Sequence, residues 1–322
     1  MTRVLVTGAA GFIGSHLVEA LVSRGDEVVG IDNFDPFYPR AVKERNLRDV
    51  GPGPRFTFLE QDVRDVAALR AWLTPDTVIV HLAARAGVRP SLADPVGYAD
   101  MNVTGTAAVL EAARRAGVSR FVFGSSSSVY GDSTPVPFRE DAVAVEPLSP
   151  YAATKRAAEL LLRAVAPIYG FRSAALRFFT VYGPRQRPDL AIHTFARRMV
   201  AGEVITLFGD GTQARDYTYC DDIVAGVVAA IDWTAIAPLG MEVFNLGGNR
   251  SVPTRAMLDE IAAALGIEPR VEWAPMQPGD VQRTAADLTR SGAVLGYAPR
   301  TPFPEGVRRF VSWFREAYGR TD

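Results

Sequence analysis

The 322-residue sequence contains one cysteine, Cys220, which excludes an intrachain disulfide and a thiolate metal cluster. It contains three histidines, His16, His81 and His193, too scattered along the chain to suggest a zinc site. Charge of one sign is not in excess: 35 Lys and Arg against 36 Asp and Glu leave a formal net charge of −1. That balance gives no reason to expect nucleic acid or an anionic membrane surface as a partner. No apolar run approaches the roughly eighteen residues a membrane span requires. The N-terminus enters a strand pattern directly, with no charged leader and no apolar h-region. Internal repeats and low-complexity tracts are also missing. A reduced, cytoplasmic compartment is the expectation.

What is there is an ordinary soluble-enzyme composition, with 48% hydrophobic residues, and a length sufficient for two lobes. Arg3-Val4-Leu5-Val6-Thr7 reads as a buried parallel strand. It runs into a turn from Gly8 to Gly14 through Gly11, Phe12 and Ile13, followed by a helical pattern. The glycines are spaced by three and three, not as G-x-G-x-x-G. Their physical purpose is the same: a tight turn, close backbone approach to a pyrophosphate, and a helix N-terminus aimed at negative charge. The next strand, 27–31, ends at Asp32, about twenty residues past the turn, where an acid binds adenosine ribose hydroxyls. A carboxylate there repels a 2′-phosphate and favours NAD over NADP. A strand-end turn residue is the plainer alternative for Asp32.

Asn33 opens a loop. A third strand, 55–60, leads to Asp62 and Val63, placed to touch an adenine edge. A fourth, 77–82, ends at Leu82, Ala83 and Ala84, small enough for a dinucleotide to lie close. A long helical stretch is expected over roughly 95–116, containing Asn102, a candidate cofactor contact. A fifth strand, 120–123, ends in the run Ser125-Ser126-Ser127-Ser128. Strands alternating with helices over the first 180 residues indicate a Rossmann-like, doubly wound parallel α/β sheet with ligands at its carboxyl edge. Tyr151 and Lys155, four apart at the start of a helical run, share one face. A fixed ammonium beside a phenol is expected to lower its pKa; a surface tyrosine and a solvated lysine are the bland alternative.

Taken together, the Gly8–Gly14 turn, Asp32, Asp62-Val63, Ser126 and Tyr151-x-x-x-Lys155 resemble the extended short-chain dehydrogenase/reductases. Within them, the chain resembles the nucleotide-sugar epimerases and dehydratases over essentially its whole length. The resemblance implies a catalytic Ser126, three residues before Val129-Tyr130-Gly131, and the same glycine spacing. It implies a substrate contact at Thr180, after Arg177-Phe178-Phe179, and a basic loop through Arg187. It implies that a hairpin over 204–217 holds a uracil through Thr206, Phe208 and Gln213, and that Arg215 binds diphosphate. A loop with Gln277 and Asp280 should close over the nucleotide, though several relatives have Arg at the Gln277 position; Arg283 is a possible substitute. NAD-binding residues are then expected in 1–180 plus roughly 216–250. A smaller C-terminal α+β substrate lobe is expected from 181–215 and 251–322.

The serine run separates reactions. Dehydratases resembling this chain follow the catalytic Ser or Thr with Asp-Glu, and decarboxylases carry Glu there. Ser127 and Ser128 are neutral hydroxyls with no pKa suited to elimination. Reversible oxidation at C4 remains. Asp32-Asn33-Phe34, Arg85 to Arg89, and Arg187-Pro188-Asp189 resemble the UDP-glucuronate 4-epimerases most closely. A UDP-glucose or UDP-N-acetylglucosamine 4-epimerase is the alternative, with a UDP-glucuronate decarboxylase or a non-catalytic NAD-sensing protein behind it. Whether Arg187 meets the sugar carboxylate or the nucleotide stays open. The family implies a homodimer packed through helices near 95–116 and 151–166.

Overall fold

The computed structural model describes residues 1–51, 53–142, 146–275 and 282–319. Strand and helix alternate first: β1 (Arg3–Thr7), α1 (Phe12–Arg24), β2 (Glu27–Asp32), α2 (Arg40–Val50), β3 (Phe56–Glu60), α3 (Val66–Arg70) and β4 (Val78–His81). Next come α4 (Val88–Ala93), α5 (Pro95–Ala99), α6 (Gly105–Ala116), β5 (Arg120–Ser126), α7 (Pro150–Tyr169) and β6 (Arg172–Phe178). The remainder is β7 (Thr180–Tyr182), α8 (Ala191–Val200), β8 (Ile205–Phe208), β9 (Ala214–Tyr219), α9 (Cys220–Trp233) and β10 (Gly240–Leu246). It ends with β11 (Ser251–Pro253), α10 (Thr254–Leu265), β12 (Val271–Ala274), α11 (Thr289–Leu295) and α12 (Phe303–Tyr318).

Seven strands form one parallel sheet in the order β10-β6-β5-β4-β1-β2-β3. The β-branched runs fit it because both faces are covered, so the inner strands bury most of their side chains, while Thr57 and Glu60 on the edge strand β3 stay exposed. Val4 and Val6 enter the core formed with α1 and α9, while Leu5 between them enters the core formed with α6 and α7. Each such side chain contributes about 1.5–3 kcal/mol by leaving water. The chain steps from β1 outward to β3, then crosses to β4 on the other side of β1. The crevice at the carboxyl ends of β1 and β4 is therefore the topological switch point where ligands bind in such sheets. β10 returns to this sheet, beside β6.

One local expectation changes. The segment 204–217 is not a hairpin: β8 pairs with β12 in parallel, whereas β9 pairs with β7 in parallel and with β11 antiparallel. The chain between β8 and β9 contains two positive-φ glycines, Gly209 and Gly211, and each strand finds a better-matched partner from distant sequence. β6 stops at Phe178, and β7 leaves for a separate three-stranded sheet with β9 and β11. The helix over 95–116 contains a π-turn at Asp100–Thr104 that includes Asn102, a local widening often found at functional sites.

Candidate active site

Two cavities meet above the carboxyl edge of the large sheet, and Tyr151 and Arg187 line both. The first runs over the glycine turn. Gly8 has φ +73°, and a Cβ on it would lie 2.8 Å from the Ala83 amide nitrogen; one on Gly14 would lie 2.0 Å from the Gly8 carbonyl oxygen. Neither position admits a side chain, so two backbone stretches approach as closely as they can. Gly11 precedes α1 without a side-chain cap, leaving first-turn amides directed at the crevice. Phe12, Ile13, Asn33, Val63, Leu82, Ala83 and Ala84 complete the walls. The β4 end is pinned by Thr7, whose hydroxyl accepts the Leu82 and Ala83 amides at 3.2 and 3.1 Å and meets His81 Nδ1 at 2.7 Å. Burial pushes His81 down to about 3, so it is a neutral strut.

Asp32 faces this cavity with a partner the sequence did not announce. Its Oδ1 accepts the Phe34 amide at 2.8 Å and the Lys43 ammonium at 3.2 Å, and both side chains are buried. Lys43 comes from α2 and shares no motif with Asp32. Asp62 stands behind the wall. Its carboxylate accepts Arg64 Nη2 at 2.6 Å and Asn33 Nδ2 at 3.0 Å, and the Arg64 bond holds it down at about 2. Gln61 lines the cavity instead. Asn102 also acts from behind: it clasps the Arg85 amide and carbonyl, each at 2.9 Å, and donates to Thr154 Oγ1 at 3.0 Å. It thereby ties the β4 exit to α7.

Helix α7 starts at Pro150 because Ser149 caps it, its hydroxyl accepting the Ala152 amide at 3.1 Å. Tyr151 and Lys155 then project from one face. The expected direct electrostatic effect of Lys155 on Tyr151 is replaced by a different arrangement. Lys155 Nζ donates to the Gly124 carbonyl at 2.8 Å, and desolvation brings it down to about 8. The Tyr151 phenol is pushed up by burial, against which the nearby Ser126 hydroxyl and the Arg187 charge favour the phenolate. Tyr98 packs edge-on to Tyr151 at 6.3 Å and donates to the Ala86 carbonyl, fixing the ring from the α5 side.

The second cavity is lined by Ser126, Ser127, Ser128, Thr180, Arg187, Arg215 and Thr284. Ser126 Oγ accepts the Ser128 amide at 3.2 Å and lies 3.0 Å from the Ser128 hydroxyl, which folds the serine run into a tight turn over the cavity. Arg187 pairs with Asp189 at 2.8 Å and lies 5.4 Å over the Phe37 ring, part of the loop beyond Asp32. Arg89 lies 5.1 Å over the Phe208 ring, outside both cavity walls. Thr206 donates to Glu272 Oε1 at 2.7 Å, and Gln213 is buried with its carbonyl accepting the Thr254 amide at the start of α10. Arg283 donates to Ser251 Oγ at 3.2 Å. Gln277 and Asp280 lie outside the described residues. Elsewhere His16, Cys220 and Asp221 approach within 4.8 Å of one another. There the imidazole bonds the Pro184 carbonyl, and burial holds the Cys220 thiol protonated.

Residues 4–247 match the model of the NAD dependent epimerase/dehydratase family. A UDP-glucuronate 4-epimerase of Thermodesulfobacterium geofontis is 39% identical over 319 residues, covering 98% of this chain and 97% of the relative. The Bacillus cereus UDP-glucuronic acid 4-epimerase, solved with UDP-glucuronic acid and NAD, superposes with a TM-score of 0.92 at 36% identity, covering 98% and 100% of the two chains. A Thermotoga maritima UDP-glucose 4-epimerase solved with UDP-glucose has a TM-score of 0.88 at 31% identity, with 98% and 100% coverage. The chain belongs to the NAD-dependent epimerase/dehydratase family, within the extended short-chain dehydrogenase/reductases.

Proposed function

We propose that the protein epimerises UDP-glucuronate at C4, giving UDP-galacturonate through a 4-keto intermediate with NAD as cofactor. The observation that carries this is the junction of the two cavities, where Tyr151 lines both, Ser126 lines the second beside it, and Lys155 stands one turn away on α7. The first cavity fits NAD. Its glycine cradle, which any Cβ would fill, suits a pyrophosphate against the start of α1, and Asp32 suits the ribose hydroxyls. Gly8, Gly11, Gly14 and the Leu82–Ala84 backbone would hold the dinucleotide, with Asp62 and Asn102 acting through the walls they brace. When bound, NAD would supply the hydride acceptor and donor for C4.

In this assignment Tyr151 accepts the C4-hydroxyl proton and later gives one back. Ser126 holds that oxygen in line, and Lys155, fixed by Gly124, keeps a cation near the ribose. Burial alone would keep Tyr151 protonated, so Ser126 and Arg187 matter for the base. Ser127, Ser128 and Thr180 offer neutral hydroxyls to a C6 carboxylate, which supports a uronate over elimination chemistry. Arg215 would meet the diphosphate, and the Arg89–Phe208 stack, with Thr206 and Gln213 behind it, the uracil. Residues 1–180 with roughly 216–250 would form the NAD lobe, and 181–215 with 251–322 the nucleotide-sugar lobe.

We also propose a cytoplasmic homodimer. Leu92, Val96 and Leu160, on α4, α5 and α7, are 58%, 78% and 49% exposed on helices that pack together. No helix among the described residues is long and apolar enough to cross a membrane. Incubating the purified protein with UDP-glucuronate, UDP-glucose and UDP-N-acetylglucosamine, without added NAD, and identifying products by NMR tests the assignment. UDP-galacturonate is the expected product; turnover of UDP-glucose alone overturns the substrate.

A further inference from the structure

Beneath the catalytic pair, three consecutive residues at the end of β5 meet three α7 residues spaced by four. The Gly124 carbonyl accepts from Lys155 at 2.8 Å, the Ser125 hydroxyl donates to Glu159 Oε1 at 2.5 Å, and Ser126 lines the same cavity as Tyr151. Positions 151, 155 and 159 share a helix face because four residues make about one turn. The third rung is the most heavily built. Glu159 is fully buried, and its two oxygens also accept Arg177 Nε at 3.0 Å and Nη2 at 2.9 Å. Arg156 adds a third donor group at 2.9 Å. These bonds keep the Glu159 carboxyl below its ordinary range despite burial.

The partners of Glu159 sit at one level of the sheet. Ser125 on β5 is the register partner of Arg177 on β6, and Arg177 is the register partner of Asn245 on β10. The Arg177 guanidinium lies 4.6 Å over the Tyr130 ring, and Tyr130 donates to Asn245 Oδ1 at 2.6 Å. The row therefore runs across three strands and reaches the turn that follows Ser126. An ion pair this deep adds little stability over well-packed apolar residues, because desolvation offsets the attraction. What a bidentate pair does supply is direction.

We infer that Glu159 is a positioning residue for the reaction: held by Ser125 and Arg177, it sets the height of α7 against the end of β5 so that Tyr151 meets Ser126. This rests on Tyr151 being the base. Glu159 lies about 12 Å along the helix axis from Tyr151, so its effect reaches the substrate through the backbone of α7 and β5. It should therefore act on turnover and leave ligand affinity alone.

The test compares Glu159→Gln, Ser125→Ala and the double variant for kcat, KM for UDP-glucuronate, bound NAD after acid extraction, and melting temperature. Each single change should lower kcat about 10- to 100-fold, as misplacement of about an ångström can, with KM and bound NAD kept. The double variant should be hardly worse than the poorer single, since both break one linkage. Multiplying losses, an unchanged kcat in Ser125→Ala, or activity that falls only in step with NAD content and melting temperature would overturn the inference. If Glu159→Gln does not fold, Ser125→Ala decides by the same kcat and KM criteria. Tyr151→Phe is the reference: an active Tyr151→Phe removes the base assignment itself, a different failure from normal turnover in the Glu159 and Ser125 variants.

Discussion

Lys43 and Asp32 form a buried ion pair, 3.2 Å between Nζ and Oδ1, in the wall of the glycine-turn cavity. The carboxylate proposed to oppose a 2′-phosphate is thus held in place by a cation that would welcome one.

NAD⁺ should accordingly bind the apoprotein at least about tenfold more tightly than NADP⁺, a difference of about 1.4 kcal/mol. Asp32→Ser should narrow or reverse that ratio, because Lys43 then faces the ribose edge without its partner. Calorimetric titration of both cofactors into both proteins measures this. An Asp32→Ser protein with the parent's preference would show that Asp32 does not read the ribose.

Tyr151→Phe removes the hydroxyl and leaves the ring packed against Tyr98. Turnover should fall by about 10²–10⁴-fold, the usual contribution of a positioned acid–base group, with bound NAD unchanged. Progress curves followed by NMR provide the comparison, and near-normal rates would remove Tyr151 from the mechanism.

Oxidising UDP-glucuronate at C4 makes a β-keto acid, which loses CO₂ when the C5–C6 bond stands perpendicular to the ketone. Hydrogen bonds from Ser127, Ser128 and Thr180, each about 1.5–3 kcal/mol to a charged group, would hold the carboxylate away from that alignment. Thr180→Val and Ser127→Ala should each raise the fraction of 4-keto-pentose released per epimerisation. If both lose activity without extra CO₂ or pentose, these hydroxyls do not restrain the acid.

His193 predicts an acid sensitivity. It is buried among the rings of Phe310, Trp313, Phe314 and Tyr318, and neither ring nitrogen has a hydrogen-bond partner. Burial lowers it to about 4, against about 6.5 when unfolded. The unfolded chain therefore binds more protons between these values, and the stability His193 allows is complete above about pH 6.5 and lost as pH falls towards 4. The full effect is on the order of 3 kcal/mol. Asp216, raised to about 6 by burial, works in the opposite direction, so the comparison must be between variants. His193→Phe should flatten the fall in urea midpoint between pH 6.5 and 4.5; parallel profiles for the two proteins would count against it.

The sequence on its own determined the sheet, the glycine turn and the Tyr151 helix. Each is a local pattern: β-branched runs that tolerate burial on both faces, glycines where two backbones touch, and a Ser-Pro start that caps a helix. It also determined that Ser126, Ser127 and Ser128 offer hydroxyls and no acid. Only the tertiary structure decided who partners whom. Lys43 reaches Asp32 from the next helix, Arg187 from beyond β7 lines both cavities with Tyr151 and covers Phe37, and Glu159 ties Ser125 to Arg177 across two strands. The pairing of β8 with β12 and of β9 with β7 was likewise invisible locally, because the glycines between β8 and β9 allowed a hairpin without requiring one. Propensity and spacing act over a few residues, whereas burial and charge pairing are settled only when distant segments pack. That is why burial, not the lysine four residues away, sets the direction in which the Tyr151 phenol shifts.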